Sequence, residues 1–321
     1  MRKALITGIN GQDGHFLAEL LKRNDFLVYG LVRPRAHGQP GNPFVVSKGM
    51  LFGDAGNYGS VFNAIETIRP DHIYHLAAIS FIPDAEKDKF GIFDTNVMGT
   101  QHILDIAQEL VPEAKIFLAG SSEMFGEPYY CPQDEKHDFN PESLYGISKL
   151  AGFHIGIRAR RRGQFVSNGI MYNHESIHRP ANFVTKKIVK AIAGIAAGEG
   201  GEITLGNLKA RRDWGFAGDY VRAMFLMMED DEPDDYIIAT GKTHTVADIL
   251  EVCFGYLGVR KYDQYVHIDN SLYRKDTTVA LVGSYRKIKE SLGWEPTIGF
   301  KEMIITMLSY EREKLTKGWS K

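Results

Sequence analysis

The sequence predicts an α/β protein: a doubly wound parallel sheet with a smaller C-terminal α/β lobe. Three observations predict this class. Short apolar runs alternate with amphipathic stretches over residues 1–172, a glycine-rich turn follows the first run, and the alternation loosens after residue 175. Near-continuous apolar strands separated by helices are typical of parallel strands covered on both faces.

The first half supplies five strand-like runs with helix-like stretches between them. The strands are "ALIT" (4–7), "FLVYGLV" (26–32), "HIYHLA" (72–77), "KIFLAG" (115–120) and "FVSNGIMY" (165–172), and the helices are at 14–24, 57–68, 91–110 and 142–161. Each apolar run is short enough for a strand, and each stretch between them carries an apolar face at helical spacing.

The second half is less regular. It offers helices within 182–198, at 217–230, near 246–256 and near 285–315, and a strand in "DYIIAT" (235–240), around a segment, "EGGEITLGNLKARRDW", rich in glycine and charge. We therefore expect the chain to cross between the two lobes more than once.

Composition excludes several classes of protein. The chain has 44% apolar and 24% charged residues and a net charge of −2, without the basic excess of nucleic-acid or membrane-surface proteins. No apolar run reaches the ~18 residues of a membrane span, and "MRKALITGINGQDG" is interpreted as a first strand, not a signal peptide. Cys131 and Cys253 stand alone, which favours a reducing cytoplasm over a disulfide framework or thiolate metal site.

A dinucleotide site is indicated by "TGINGQDGHF", where Gly8, Gly11 and Gly14 lie between the first strand and the first helix. Such glycines let the backbone turn tightly and approach a pyrophosphate over the helix N-terminus. This context, more than the spacing alone, predicts a Rossmann-type domain.

The second strand ends in "GLVRPR", with Arg33 and Arg35 and no acidic residue to bind ribose hydroxyls. A guanidinium matches a phosphate in charge and geometry, so NADP is favoured over NAD, with two solvated arginines as the alternative. Asp54, after the strand-like "MLFG", is placed to reach the adenine, and Asn96 is expected to fasten helix to sheet beneath the cofactor.

A catalytic pair is predicted in "SLYGISKLAG", because Tyr145 and Lys149 share one helical face. The charge of the lysine would favour phenolate and lower the tyrosine pKa, making Tyr145 a base near neutral pH. Ser121, at the end of the fourth strand, would orient the hydroxyl that Tyr145 deprotonates.

With these motifs the chain resembles the extended short-chain dehydrogenase/reductases, and among them it is most similar to the GDP-mannose 4,6-dehydratase family. The resemblance covers nearly the whole chain. Its most specific segments are "TGINGQDG", "SSEMFG", "YGISK", "NHES" with "ANFVTKKI", "LGNLKARRDWGFAGDYVRAM" and "IATGKTHTV".

The resemblance implies a redox-neutral reaction in which Tyr145 takes the 4-hydroxyl proton of the sugar while hydride passes to NADP⁺. Glu123 then removes the C5 hydrogen and helps water leave C6, and the hydride returns to C6. Ser121 stands where the family usually has threonine, and Ser122 and Glu123 keep the family residues. The cofactor contacts implied are Gly8, Gly11, Gln12, Asp13, Gly14, Arg33, Asp54, Ala55, Leu76, Ala77, Asn96, Tyr145 and Lys149.

The resemblance also implies a nucleotide-diphosphate sugar as substrate, with a GDP-sugar favoured. The implied contacts are Ser80, Ser122, Asn173, Glu175, Val184, Lys187, Leu205, Asn207, Arg212 and Arg274. Two segments depart from the family pattern. "YRKDTTV" (273–279) replaces "YRPTEVD", which puts Thr277 and Val279 where the family has acids, and "VRPRAHG" replaces a loop that helps build a tetramer. A homodimer is expected, with a tetramer as the alternative.

The domain prediction that follows is an NADP-binding Rossmann domain over 1–172, with returning segments near 213–243. Residues 173–321 would form mainly the nucleotide-sugar-binding lobe.

Two further features are interpreted as structural. "HESIH" (174–178) fits a zinc-protease pattern, but it follows a β-type run and Pro180 comes soon after, which favours a strand-to-loop exit over the helix that zinc needs. No metal site is predicted. His75, inside "IYHLAA", is expected to be a satisfied core histidine.

Three functions remain as hypotheses. A nucleotide-sugar 4,6-dehydratase leads, and a 4-epimerase or 4-ketosugar reductase on the same scaffold follows. The third is a catalytically silent NADP-binding sensor. Glu123 speaks for the first, because neither alternative reaction needs a C5 base.

Overall fold

The computed structural model describes residues 1–33, 49–273 and 279–317. In the described ranges the strands are β1 Lys3–Thr7, β2 Leu27–Val32, β3 Met50–Phe52, β4 His72–His75, β5 Lys115–Ala119, β6 Val166–Met171, β7 Asn173–Glu175, β8 Ile203–Leu205, β9 Arg211–Phe216, β10 Asp235–Ile238, β11 Thr243–Thr245 and β12 Val266–Ile268. The helices are α1 Gln12–Arg23, α2 Tyr58–Ile68, α3 Ile82–Lys87, α4 Lys89–Phe93, α5 Gly99–Leu110, α6 Leu144–Arg160, α7 Val184–Ala196, α8 Ala217–Glu229, α9 Val246–Tyr256, α10 Arg286–Leu292 and α11 Phe300–Thr316.

Seven strands form one sheet in the order β10-β6-β5-β4-β1-β2-β3, and every neighbouring pair is parallel. The sheet is covered on both faces. Leu5 of β1 packs with the apolar side chains of α2 and α5, whereas its neighbour Ile6 packs on the opposite face with α1 and α8. Side chains of adjacent strand residues point to opposite faces, so this split confirms the predicted doubly wound α/β class.

The remaining strands form two small sheets. β9 lies between β7, which is parallel to it, and β11, which is antiparallel, and β12 pairs with β8. Helices α7, α9 and α11 enclose a separate apolar core built around Ile188, Phe254 and Met307. From the second half of the chain, α8 and β10 nevertheless pack on or join the large sheet. The predicted boundary at residue 172 stays a prediction.

Two long predicted helices are interrupted. The stretch 91–110 is α4, a π-helical turn at Asp94–Met98, and α5. The final region is α10 and α11, because Gly293 ends α10 in a left-handed conformation (φ 66°) and Pro296 follows in the connection. The π-helical turn matters for the site, since it carries Asn96.

Candidate active site

The glycine-rich turn joins β1 to α1 with almost no room for side chains. Gly8 has a φ of +75°, and a Cβ on it would lie 2.8 Å from the backbone nitrogen of Ala77. A Cβ on Gly14 would lie 2.5 Å from the Cα of Ile9. Gly11 is the N-cap of α1 and supplies no side-chain cap, so the first-turn N–H groups can bind an anion. The turn therefore fits a dinucleotide pyrophosphate.

Gln12 and Asp13, two of the predicted cofactor contacts, point toward the second lobe. The Gln12 side chain donates to the carbonyl oxygen of His174 at 2.9 Å, and the Asp13 carboxylate lies 2.9 Å from His174 Nε2. Their side chains thus link α1 to β7, and only their backbone remains suited to a phosphate.

The ends of β1 and β4 lie side by side next to the glycine-rich turn. Thr7 Oγ1 accepts a hydrogen bond from the N–H of Ala77 at 3.2 Å and lies 2.8 Å from Nδ1 of the buried His75. His75 is therefore a satisfied core histidine, as predicted. Leu76 and Ala77, two predicted cofactor contacts, continue from this position, and Leu76 lines the large cavity described below.

Asn96 fastens the segment after β4 to α6. Its side chain accepts from the N–H of Ile79 at 2.9 Å and donates to the Ile79 carbonyl oxygen at 3.2 Å and to Ser148 Oγ at 2.9 Å. Asp54, after β3, accepts instead from the N–H of Gly56 at 2.8 Å, beside the buried Ala55. Arg33 is exposed directly after β2, and Arg35 lies outside the described residues.

The segment "SSEMFG" leaves β5 as a single 3-10 turn at Ser122–Met124. Ser121 caps it, since Ser121 Oγ accepts from the N–H of Glu123 at 3.2 Å. Met124 and Phe125 are fully buried and pack beneath the turn. The two apolar residues thus support the loop while the three polar ones face the cavity.

Helix α6 brings Tyr145 and Lys149 against this turn. Ser143 caps the helix by accepting from the N–H of Gly146 at 3.0 Å. A Cβ on Gly146 would lie 2.5 Å from the carbonyl oxygen of Glu123, so glycine permits the close approach. Lys149 Nζ lies 5.9 Å from the centre of the Tyr145 ring and donates to the carbonyl oxygen of Ala119 at 2.8 Å.

The electrostatics differ from the expectation that Lys149 lowers the pKa of Tyr145. Burial raises the pKa of Tyr145 to about 12, and the charge of Glu123 acts in the same direction, while a hydrogen bond with Ser121 and the charge of Arg179 oppose it. Burial lowers the pKa of Lys149 to about 8. The expectation was wrong for this geometry, because desolvation outweighs the nearby positive charges.

A cavity of about 890 Å³ lies between the two lobes and collects most of the predicted site. All four predicted catalytic residues line it, as do Asp13 and Leu76 among the cofactor contacts. The predicted substrate contacts in its wall are Ser80, Ser122, Asn173, Val184, Lys187, Leu205, Asn207 and Arg212.

Lys187 and Arg212 bring positive charge to this wall. Lys187 Nζ donates to the carbonyl oxygen of Thr204 at 2.8 Å, and Arg212 Nη1 donates to the carbonyl oxygen of Arg211 at 2.6 Å. Beside them α7 begins without a side-chain cap. Cations and helix N–H groups together suit a diphosphate. Arg274 lies outside the described residues.

Glu175, a predicted substrate contact, does not line the cavity. It is 1% exposed, accepts from Thr185 Oγ1 at 2.6 Å and pairs with Arg179 Nε at 3.1 Å. Its placement favours support of the wall over direct contact with a ligand.

Sequence reasoning missed two residues of the wall, His174 and Arg179, and the aromatic pair Phe81 and Phe183. The two phenylalanine rings meet edge to face at 5.4 Å, and the Arg179 guanidinium lies 3.6 Å from the centre of the Phe183 ring. Both missed polar residues lie in or next to "HESIH", close in the chain to the predicted substrate contact Asn173.

The "HESIH" segment is a strand followed by a turn, as predicted, since β7 ends at Glu175. Within the described ranges no group of three or more His, Cys, Asp or Glu side chains is arranged to hold a metal ion. No helix there combines the length and apolar character that a membrane crossing requires.

The sequence comparisons agree with the geometry. The profile of the family described as GDP-mannose 4,6 dehydratase matches residues 5–307. "GDP-mannose 4,6 dehydratase 2" of Arabidopsis thaliana is 40% identical over 97% of this chain and 87% of its own length. "GDP-mannose 4,6 dehydratase" of Homo sapiens is 35% identical over 97% of this chain and 91% of its own length.

Solved structures share the fold at lower identity. A UDP-glucose 4-epimerase from Thermotoga maritima, solved with UDP-glucose, has a TM-score of 0.85 at 22% identity, covering 98% of this chain and 99% of the epimerase chain. A dTDP-glucose 4,6-dehydratase from Bacillus anthracis, solved with NAD, has a TM-score of 0.83 at 18% identity, covering 98% of each chain. The fold is thus common to epimerases and dehydratases, whereas the sequence match is specific: the chain belongs to the GDP-mannose 4,6-dehydratase family.

Proposed function

We propose that this chain is an NADP-dependent 4,6-dehydratase of a GDP-sugar, with GDP-mannose the first substrate to test and a GDP-heptose or similar sugar as the variant. The observation that carries the proposal is the position of Glu123. Its side chain opens on the same cavity as Tyr145, one turn beyond β5, with Ser121 and Ser122 beside it. A carboxylate next to a tyrosine–lysine pair supplies a second base, which dehydration needs and epimerisation does not.

The cofactor proposal rests on the glycine-rich turn and on the end of β2. The uncapped first turn of α1 would hold the pyrophosphate, and Arg33, exposed at the end of β2, would meet a 2′-phosphate where NAD enzymes place an acid. Bound there, the nicotinamide supplies reversible uptake of hydride from C4 and its return to C6.

Tyr145 acts in the first step as the base for the sugar 4-hydroxyl, with Ser121 orienting that hydroxyl. Because the pKa of Tyr145 is about 12, the phenolate needs added positive charge in the cavity. Lys149 and Arg179 already line the cavity at this pKa, so the positive charge of an oxidised nicotinamide, when bound, would supply it.

Glu123 acts in the second step. The 4-ketone acidifies the C5 hydrogen, Glu123 accepts that proton, and the same proton leaves with the C6 hydroxyl as water. Ser122, 3% exposed, would hold the sugar beside this carboxylate. Once C6 is reduced, the remaining enolate takes a proton at C5 from Tyr145, which holds the one from the 4-hydroxyl, so atoms and protons balance.

The nucleotide diphosphate would lie at the other end of the cavity, against Lys187, Arg212 and the first turn of α7. Support for guanosine comes from the relatives, which are named GDP-mannose dehydratases. Arg274 keeps its predicted role as a proposal.

A 4-epimerase is the alternative that the shared fold favours, with a 4-ketosugar reductase behind it. Incubation of the purified protein with GDP-mannose, other GDP-sugars and UDP- or dTDP-hexoses separates the two classes. We expect a 4-keto-6-deoxy product without added reductant. If none of these nucleotide sugars is deoxygenated at C6, the proposed dehydratase function is wrong.

The Glu123→Gln variant tests whether Glu123 is the base that removes the C5 hydrogen. It should lose exchange of the C5 hydrogen with solvent deuterium and about a hundredfold or more of turnover, with NADP binding intact. Glu142→Gln, which removes an exposed carboxylate at the mouth of the same cavity, is the matched control and should retain turnover. Unchanged turnover in Glu123→Gln would show that another group is the base.

We further propose a homodimer located in the cytoplasm. Phe90, Phe93, Met98 and Ile147 are exposed on neighbouring elements, α4, the π-helical turn and α6. A second copy covering them would remove this apolar surface from water. Light scattering should give twice the chain mass, and Ile147→Glu should weaken the dimer; a monomer in the wild type would contradict it. Both described cysteines are free thiols, which suits a reducing compartment.

A further inference from the structure

A buried polar contact joins the first turn of α1 to β7, 161 residues away in the chain. Both oxygens of Asp13 lie 2.9 to 3.0 Å from His174 Nε2. Gln12 donates to the His174 carbonyl oxygen at 2.9 Å and accepts from Ser176 Oγ at 2.8 Å. Gln12, His174 and Ser176 are 7%, 8% and 1% exposed, so the contact is shielded from water.

The partners of the imidazole fix its charge. His174 Nδ1 lies 2.7 Å from the carbonyl oxygen of Tyr172, which can only accept, so Nδ1 carries a hydrogen. Nε2 faces a carboxylate, and an ionised carboxylate also only accepts. Both ring nitrogens therefore donate, which describes an imidazolium paired with an ionised Asp13.

The charged groups around the pair act in both directions. Burial opposes the charge on His174, but Asp13 outweighs it and the pKa of His174 is raised, while His174 lowers the pKa of Asp13 against its burial. Arg179, on the loop after β7, opposes the imidazolium, and the neighbouring Glu175 attracts it. From α8 the Tyr220 ring stacks on the imidazole at 4.4 Å and 27°, and the face of an aromatic ring attracts a cation.

We propose that His174 is a positioning residue, held as an imidazolium by Asp13, that fixes β7 and the cavity wall after it against the cofactor-binding turn. The wall so fixed includes Asn173 and Arg179. Loss of the positive charge on His174 would loosen this wall, although His174 itself takes no part in the chemical step. The kinetic part of this inference rests on the proposed dehydratase function, whereas the charge state does not.

Nitrogen-15 spectra of the imidazole rings test the charge without any turnover. In wild-type protein at pH 7, above the ordinary pKa of histidine, one ring should still show two protonated nitrogens, and that signal should be missing in His174→Gln. A neutral His174 at pH 7 would overturn the proposal. The wild-type spectrum decides the charge state by itself, even where a variant fails to fold.

Asp13→Asn is the kinetic variant, because an amide can donate to a neutral Nε2 and so keeps the contact while removing the charge. We expect a rise of about tenfold in KM for GDP-mannose, a smaller change in kcat, and a neutral His174 at pH 7 in the spectrum. His15→Gln, a nearby histidine of α1, is the control and should change neither. A neutral His174 with unchanged KM in Asp13→Asn would overturn the positioning role, and an imidazolium retained in that variant would show that Asp13 does not hold the charge. Absence of dehydratase activity in the wild type, with the imidazolium present, would instead refute the proposed function.

Discussion

His75 and His174 are both buried, one at the end of β4 and the other in β7, yet their surroundings move their pKa values in opposite directions. Burial and then the charge of Lys149 lower the pKa of His75 to about 3, and its partner is the uncharged hydroxyl of Thr7. His174 faces the carboxylate of Asp13, and its pKa is raised. A carboxylate partner is what reverses the effect of burial.

The same difference extends to the two lobes around the cavity. The cofactor side owes its shape to apolar strands and to glycines that allow close backbone contact, as at Gly8 and Gly14. The wall on the substrate side is held by buried charge pairs, Asp13 with His174, Glu175 with Arg179 and Lys186 with Glu311. Substitutions should therefore act through sterics in the first region and through electrostatics in the second.

The largest effect is expected from Gly14→Ala on the cofactor side. The new Cβ would lie 2.5 Å from Ile9 backbone atoms, which cannot move without displacing the glycine-rich turn. We expect a loss of about a thousandfold in NADP affinity, or ~4 kcal/mol, by calorimetry. Gly255→Ala, inside α9 with no atom within 4 Å of the added Cβ, is the control and should raise the free energy of unfolding by up to ~1 kcal/mol. An NADP affinity within tenfold of the wild type would show that the glycine-rich turn can shift to make room for the added Cβ.

The second prediction concerns the charge pairs. Lys186 and Glu311 have side chains 8% and 6% exposed, and Lys186 Nζ also donates to the carbonyl oxygen of Ile177 at 2.7 Å. Glu311→Gln leaves the buried ammonium without a countercharge, so the free energy of unfolding in urea should fall by ~3 kcal/mol. The control, Glu290→Gln, breaks an ion pair with Arg286 in which the Arg286 and Glu290 side chains are 82% and 68% exposed. It should lower the free energy of unfolding by less than ~0.5 kcal/mol. Equal losses of unfolding free energy in the two variants would contradict the expected difference between a buried and an exposed charge pair.

How much the sequence could predict follows the same division. The strands of the large sheet were predicted to within two residues at either end, because their apolar runs are continuous and local. β9, by contrast, reads as the charged segment "RRDWGF". It is a strand because it pairs with β7 and β11 on either side, and its buried Asp213 accepts hydrogen bonds from Thr240 and Gly241, partners that no local pattern reveals.

The candidate site divides likewise. Ser121, Glu123, Tyr145 and Lys149 come from two short motifs, and the structure brings all four to one cavity. The Asp13–His174 contact joins two segments whose motifs had other interpretations, a phosphate turn and a zinc-like spacing. A hydrogen bond between Asp13 and His174 can be recognised only when the two side chains are known to lie side by side, so the sequence alone could not predict this contact.

The smallest effect concerns the neutral histidines of β4. His72, 3% exposed, lies with its ring 5.0 Å from that of Phe26, and its pKa is lowered from 6.5 to about 4, chiefly by burial. Between those two values the unfolded chain binds the proton and the folded protein does not, so stability present above pH 6.5 is lost as the pH falls toward 4.

Urea unfolding at pH 7 and pH 5 measures this loss. One such histidine contributes at most ~2 kcal/mol between those pH values, because each pKa unit corresponds to about 1.4 kcal/mol. The His72→Phe variant keeps an aromatic ring beside Phe26 and removes the titrating group, so its stability should fall less than that of the wild type by on the order of 1–2 kcal/mol. His267→Gln, at an exposed position of β12, should leave the wild-type loss unchanged. If His72→Phe loses as much stability as the wild type, the acid sensitivity does not originate in His72, and His75, the other buried histidine of β4, becomes the next group to test.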